Sequence, residues 1–79
     1  MNAVYTKLIS GPRIVNSKEI GSVQFWHHSA GEGMRGLVDE GWEIRIFVPG
    51  SASNMGRRFT DKFDAHEYYL TVTGAYVTT

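Results

Sequence analysis

The chain has no cysteine among its 79 residues, and this absence excludes three kinds of chemistry. No disulfide can stabilise the fold, no thiolate can bind a metal ion, and no thiol can act as a nucleophile. A lack of disulfides is typical of reducing compartments, so the composition favours a cytoplasmic protein.

An excess of charge of either sign is also absent. Eight basic side chains balance eight acidic ones, and the isoelectric point is about 6.8. A nucleic-acid-binding module usually has a clear basic excess, because neutralisation of phosphates supplies much of its affinity. The charge balance therefore weighs against tight phosphate binding, although it does not exclude it.

Long hydrophobic runs are absent as well. No apolar run approaches the roughly 20 residues that a membrane-spanning helix requires. The N-terminal sequence MNAVYTKLIS has no basic run before a long apolar segment, which predicts that there is no signal peptide. We therefore expect residues 1–79 to form a single cytoplasmic domain that makes no contact with a membrane.

Several segments show the alternation of apolar and polar side chains that is typical of β-strands. The segment Trp42 to Val48 alternates most clearly, with Ile44 on the side opposite to Arg45 and Phe47. Further strands are predicted at Val4–Ile9, Gly21–His28 and Arg57–Thr60. Turns are predicted at Ser10-Gly11-Pro12, where the first strand ends, and at Asn16-Ser17-Lys18, and a loop is predicted at Pro49–Gly56. The chain therefore supplies strands for one small sheet.

The C-terminal part of the chain predicts one amphipathic helix. Asp64 and Glu67 have the spacing of a capping box, in which each side chain bonds a free amide at the helix start. The segment Tyr68 to Thr73 consists almost wholly of strand formers, so a strand remains the alternative there. Three other features favour the helix. Phe63 and Tyr68 have the spacing of a hydrophobic staple, and Gly74 follows as a stop. The apolar stripe consists of Ala65, Tyr68, Tyr69 and Val72.

The glycine-rich segment Gly31 to Gly41 fits either a short helix near residues 32–40 or a long loop. Each glycine disfavours a helix by about 1 kcal/mol relative to alanine. The sequence GEGMRG matches the glycine pattern of dinucleotide-binding folds, but no acidic residue follows at the required distance and the chain is too short for that fold. We therefore predict an α+β fold, with an antiparallel sheet of three to five strands packed against one C-terminal helix.

The sequence contains no pattern that marks an active site or a metal site. His27 and His28 would point to opposite faces of a strand, and pairing either one with His66 leaves a third ligand unidentified. No nucleophile elbow, pair of carboxylates or cofactor loop is present. We therefore expect a protein that is not an enzyme and that uses no metal ion and no cofactor.

The candidate functional surface is the sheet face that points away from the core. If Val23 and Phe25 face the core, Trp26 on the same strand faces outward, on the same side as Arg45 and Phe47. Two large aromatic side chains beside an arginine are typical of interface hot spots. The alternative is that a second helical segment or the N-terminal strand covers this face and makes both aromatic residues part of the core.

Three motifs in the second half of the chain resemble a family of small DNA-binding domains. The motifs are WEIRI (42–46), GRRFT (56–60) and FDAHEYY (63–69). They resemble the three-stranded-sheet-plus-helix domains of plant ethylene-response factors and the arm-binding domains of phage integrases. The resemblance covers residues 42–74 and implies DNA contacts from the sheet by Arg45, Arg57 and Arg58.

Two functions of different classes follow from these features. We interpret the chain as a small non-enzymatic interaction protein, of the kind that phages and mobile elements encode, which binds and inhibits a larger protein or nucleoprotein. The alternative is a sheet-type DNA-binding domain, and a homodimer through an edge strand or the aromatic face is a further expected interaction. The predicted partner-binding residues are Trp26, Arg45, Phe47, Met55, Arg57 and Arg58.

Overall fold

A computed structural model describes residues 1–51 and 54–75, and these residues form six strands and one helix. The elements are β1 (Tyr5–Val15), β2 (Lys18–His28), β3 (Gly31–Gly33), β4 (Gly36–Val38), β5 (Gly41–Phe47), β6 (Met55–Phe59) and α1 (Lys62–Val72). Four strands form an antiparallel sheet in the spatial order β1-β2-β5-β6, while β3 and β4 form a separate two-stranded sheet. The predicted α+β class, with an antiparallel sheet and one C-terminal helix, is confirmed.

Strand β1 is longer than predicted, because the Ser10-Gly11-Pro12 segment does not end it. Pro12 pairs with Ser22, and the register of β1 shifts on either side of this segment, between Lys7 and Ile9 and between Pro12 and Ile14. An edge strand tolerates proline and such bulges, because its outer side needs no ladder hydrogen bonds. The predicted end of the first strand is therefore wrong.

The predicted turn between β1 and β2 is confirmed. Val15 pairs with Lys18, which leaves Asn16 and Ser17 as a two-residue loop with φ angles of 51° and 64°. Two positive φ angles are typical of the tight hairpin turns that match the twist of antiparallel strands. The turn joins the two longest strands and fixes their register.

The core lies between α1 and one face of the four-stranded sheet. Val23 and Phe25 on β2 face the helix as predicted, and Ile44 on β5 lies beside them, all at most 1% exposed. Burial of apolar surface contributes roughly 25 cal/mol per Å², so these side chains supply much of the stabilisation. The buried core residues are Val23, Phe25, Ile44, Ile46, Ala65 and Tyr69.

Helix α1 begins three residues earlier than the capping-box spacing predicts. Asp61 is the N-cap residue, and its side chain accepts a hydrogen bond of 2.7 Å from the backbone amide of Phe63. Asp64 lies in the first turn, where its charge still favours the positive end of the helix dipole. Phe63 is 66% exposed, so the predicted cap at Asp64 and the staple around it are both wrong.

The end of α1 follows the sequence prediction. Gly74 has a φ of 75°, and the amides of Gly74 and Ala75 donate to the carbonyls of Thr71 and Leu70 at 3.3 and 2.9 Å. This pair of hydrogen bonds is the Schellman motif, which favours glycine because of the positive φ. Most of the segment Tyr68 to Thr73 is therefore helical, and the strand alternative is wrong. At 11 residues α1 is short, and no helix in the described ranges is long and apolar enough to cross a membrane.

The segment near residues 32–40 forms a β-hairpin, so the prediction of a short helix is wrong. Gly33 pairs with Gly36 across a two-residue turn, and Gly36 has a φ of 118°, which glycine adopts readily. The backbone of β3 also pairs with the start of the chain: Ala3 donates to Glu32, and Glu32 donates to Met1, both at 2.9 Å. We refer to β3 and β4 together as the β3–β4 hairpin.

Candidate functional site

The face of the four-stranded sheet opposite α1, which we call the open face, carries most of the polar and aromatic side chains predicted to bind a partner. Directly paired residues in neighbouring strands project to the same side of a sheet. Trp26 pairs with Lys7 on one side and with Glu43 on the other, and Glu43 pairs with Arg58. Members of the open face are Tyr5, Lys7, Gln24, Trp26, His28, Glu43, Arg45, Phe47 and Arg58.

Trp26 is held in place by polar contacts on two sides. Its indole Nε1 donates a hydrogen bond of 2.8 Å to Oε1 of Gln24. The guanidinium carbon of Arg45 lies 4.3 Å from the centroid of the Trp26 ring, a cation–π contact. The indole is half-buried, and Arg45 lies over one of its faces.

Glu43 positions the guanidinium of Arg45. Arg45 Nε donates to Glu43 Oε1 at 2.6 Å, and Arg58 Nε lies 3.8 Å from Glu43 Oε2. The side chain of Glu43 is only 16% exposed, whereas that of Arg58 is 60% exposed. One shielded carboxylate therefore fixes Arg45 against Trp26, and Arg58 remains accessible to solvent.

The β3–β4 hairpin forms a wall beside one end of the open face. Between the hairpin and the sheet lies a cleft of about 580 Å³, which we call the hairpin cleft. Met34 at the turn of the hairpin is fully exposed, and Leu37 is 87% exposed. The hairpin cleft is lined by Tyr5, Arg35, Leu37, Glu43, Arg45 and Arg58, among others. The lining of the hairpin cleft therefore combines exposed apolar side chains with guanidinium groups.

His28 is buried beside this cleft, and no pattern in the sequence indicates its burial. It is 4% exposed, its ring lies 5.6 Å from that of Tyr5, and neither ring nitrogen has a hydrogen-bond partner among the described residues. An adjoining cavity of about 280 Å³ is lined by His28, Leu37 and Arg58, among others. Alternation on β2 predicts that His28 points away from the core, and on that face its ring lies against Tyr5 of β1 and over Gly41 of β5.

The six predicted partner-binding residues lie on both sides of the sheet. Trp26, Arg45, Phe47 and Arg58 belong to the open face. Arg57 lies on the helix side, with its guanidinium carbon 5.1 Å from the ring centroid of Phe59 and 5.2 Å from that of Tyr68. Met55 also lies on the helix side, since it pairs with Ile46 of the core. Adjacent arginines on a strand point in opposite directions, so Arg57 and Arg58 cannot act on the same flat surface.

Among residues 1–51 and 54–75, no helix covers the open face. Trp26 and Phe47 are half-buried, α1 packs on the opposite face, and β1 extends the sheet at its edge rather than crossing over it. The alternative in which both aromatic residues form part of the core is therefore wrong. The predicted loop from Pro49 to Gly56 is described only in part, because residues 52 and 53 lie outside the described residues, and β6 begins before its end, at Met55.

His27 and His28 point to opposite faces of β2, as their adjacent positions on the strand predict. The ring of His27 lies 5.4 Å from that of Trp42 on the helix side, whereas His28 belongs to the open face. Within residues 1–51 and 54–75 there is no group of three or more His, Cys, Asp or Glu side chains that could hold a metal ion.

No protein-family model, curated protein or solved structure matches this chain. Its function is therefore inferred from the chemistry of the open face and of the hairpin cleft. The arrangement of these surfaces suits binding, because it combines a fixed aromatic ring, accessible guanidinium groups and exposed apolar side chains.

Proposed function

We propose that this chain is a non-enzymatic interaction protein that binds a larger protein through its open face. The observation that carries the proposal is the Trp26–Arg45 pair, which Glu43 holds in place on the sheet face opposite α1. Tryptophan and arginine are the residues most enriched in binding hot spots. A pair that is already ordered loses little conformational freedom on binding, which favours affinity.

The shape of the molecule suggests how binding would affect the partner. The described residues span 42 × 30 × 15 Å, so the molecule is a flat plate one sheet and one helix thick. The area enclosed by its two longer dimensions exceeds the roughly 800 Å² that each partner contributes to a standard interface. A plate of this size that binds by its open face would block a surface of the larger protein, and we propose inhibition by occlusion.

A second candidate function is binding of duplex DNA through the same face. The observation that favours it is the presence of Lys7, Arg45 and Arg58 on neighbouring strands of one face. The shielded carboxylate of Glu43 opposes this function, because it lies among these cations and would repel phosphates. Arg45 also covers a face of Trp26 that a base would need for stacking.

Affinity capture from a cell lysate, with and without nuclease, tests the first proposal. We expect the tagged protein to capture a larger protein in both conditions, and Trp26→Ala to abolish capture because the anchor of the interface is removed. Phe63→Ala is the matched control, since Phe63 is an exposed aromatic residue on α1, away from the open face. Thermal unfolding of each variant shows whether the fold is intact. If Trp26→Ala unfolds the domain, Arg45→Ala takes its place in the same assay.

Binding of duplex DNA, the second candidate function, is tested with the variant Glu43→Gln. Removing the carboxylate should raise the affinity for duplex DNA if DNA is the ligand, because a repulsive charge is lost. The affinity should also fall steeply with salt. Glu19→Gln, on an exposed part of β2, is the control for the change in net charge. Capture that disappears after nuclease treatment would favour this function over a protein partner.

A further inference from the structure

The arginines that line the hairpin cleft carry more positive charge than the one carboxylate in the cleft can neutralise. Three arginines line the cleft, against the single carboxylate of Glu43. Arg45 is engaged by Glu43 and Trp26, but Arg58 is 60% exposed and lies 3.8 Å from the carboxylate. Arg35, at the turn of the hairpin, has no acidic partner among the described residues. Two guanidinium groups are thus available to bind external carboxylates.

The hairpin side of the cleft carries apolar side chains beside Arg35. Met34 and Leu37 are among the most exposed large hydrophobic side chains in the described part of the chain, at 105% and 87%. Exposed apolar side chains that adjoin a groove and are flanked by charged residues mark interaction sites. The cleft is therefore complementary to a ligand that carries both carboxylates and an apolar side chain.

His28 provides a second, independent observation at the same place. This imidazole is 4% exposed, has no hydrogen-bond partner on either nitrogen, and lines the cavity that adjoins the cleft at Leu37 and Arg58. A buried polar group without a partner is unfavourable, so a ligand group that reached it would relieve that cost.

We infer that the hairpin cleft binds an acidic peptide segment of the protein partner, with carboxylates between Arg35 and Arg58 and an aliphatic side chain against Leu37. This inference rests on the proposed function and names the kind of segment that the partner presents. A peptide suits the site better than a phosphate chain does, because spaced carboxylates avoid Glu43 and a phosphate chain has no apolar side chain to place against Leu37. A free anion would likewise leave Leu37 without a contact.

Selection from a displayed library of short random peptides tests the inference directly. The intact chain is the bait, and the enriched peptides are then synthesised with a fluorescent label. We expect enriched peptides to contain Asp or Glu near an aliphatic residue. Arg35→Glu and Arg58→Gln should each weaken binding by roughly tenfold, as expected when one member of a charge pair is removed. Glutamine is chosen at position 58 because a second carboxylate there would repel Glu43.

Controls separate this inference from the proposed function. Lys18→Glu reverses an exposed charge at the β1–β2 turn, far along the sheet from the hairpin, and should leave peptide binding unchanged. Enriched peptides without acidic residues, or binding that neither Arg35→Glu nor Arg58→Gln weakens, would overturn the inference. If protein capture still depends on Trp26 in that case, the proposed function stands without it. Cleft-dependent binding of labelled duplex DNA in place of acidic peptides would also overturn it.

Discussion

At the scale of single residues, the position of Arg45 shows how a polar side chain is fixed on an open sheet. Its Nε donates to Glu43, and its guanidinium carbon lies 4.3 Å from the Trp26 ring centroid. Glu43 lies two residues away on the same strand, and Trp26 lies on the neighbouring strand, both on the same sheet face. The arrangement therefore needs no contribution from the helix. The side chain loses most of its freedom before any partner binds, which is the physical basis of the proposed anchor.

Tyr69 gives a residue-scale prediction on pH. Burial against the core raises the pKa of the Tyr69 phenol above its ordinary value of about 10. Above that pH the unfolded chain releases this proton while the folded chain keeps it, so the free energy of unfolding should fall as pH rises past about 10. Below that range the stabilisation by this group is complete. Urea unfolding across a pH series should show a smaller decline for Tyr69→Phe than for the wild type.

The matched control for this measurement is Tyr5→Phe, since Tyr5 is 38% exposed on the edge strand. It should follow the wild-type decline with pH. Equal pH dependence in Tyr69→Phe and the wild type would show that other groups govern the alkaline transition.

At the scale of elements, the N-terminus of α1 offers a test of the corrected helix boundary. Asp61 accepts the amide hydrogen bond of Phe63, so Asp61→Ala should lower the free energy of unfolding by about 1 kcal/mol, the usual value for the loss of an N-cap. Asp64→Ala removes only a favourable charge–dipole interaction and should cost less, about 0.5 kcal/mol. Urea unfolding of both variants measures the difference. A larger effect at Asp64 would instead support the capping box read from the sequence.

At the scale of the whole molecule, stability depends on one small core that joins the sheet to the helix. Phe25 is 1% exposed and contacts α1, with its ring 5.7 Å from that of Tyr69. Phe25→Ala should cost about 3–5 kcal/mol, a large part of the total stability of a domain, which is about 5–15 kcal/mol. We expect the Phe25→Ala variant to unfold already at a modest temperature, without a cooperative thermal transition. Phe63→Ala, at an exposed position, should unfold close to the wild-type midpoint.

Much of the scaffold is predictable from the sequence, because local patterns there coincide with tertiary contacts. The alternation in β5 places Ile44 in the core and Arg45 outside, and the stripe that includes Ala65 and Tyr69 is the buried side of α1. Both assignments follow from local spacing and require no information on distant residues. The stop at Gly74 was predictable for the same reason, since its positive φ is a property of the local backbone.

The candidate site is less predictable, because it depends on pairing between distant segments. The β3–β4 hairpin is stabilised in part by backbone bonds between Glu32 and the first three residues of the chain. No local pattern shows that contact, and the glycines of the segment are compatible with a loop, a weak helix or a hairpin. The hairpin cleft exists because this hairpin lies beside the open face.

Local sequence patterns specify the fold class, the two faces of β5 and the apolar stripe of α1. Periodicity encodes which side of a strand or helix is buried, and this holds whatever its neighbours are. The assembled sheet alone shows that Arg58 joins Trp26 on the open face, that Arg57 lies against Tyr68, and that His28 is buried beside Tyr5. These features depend on register and on long-range backbone pairing, which are set by the assembled sheet and not by any one segment.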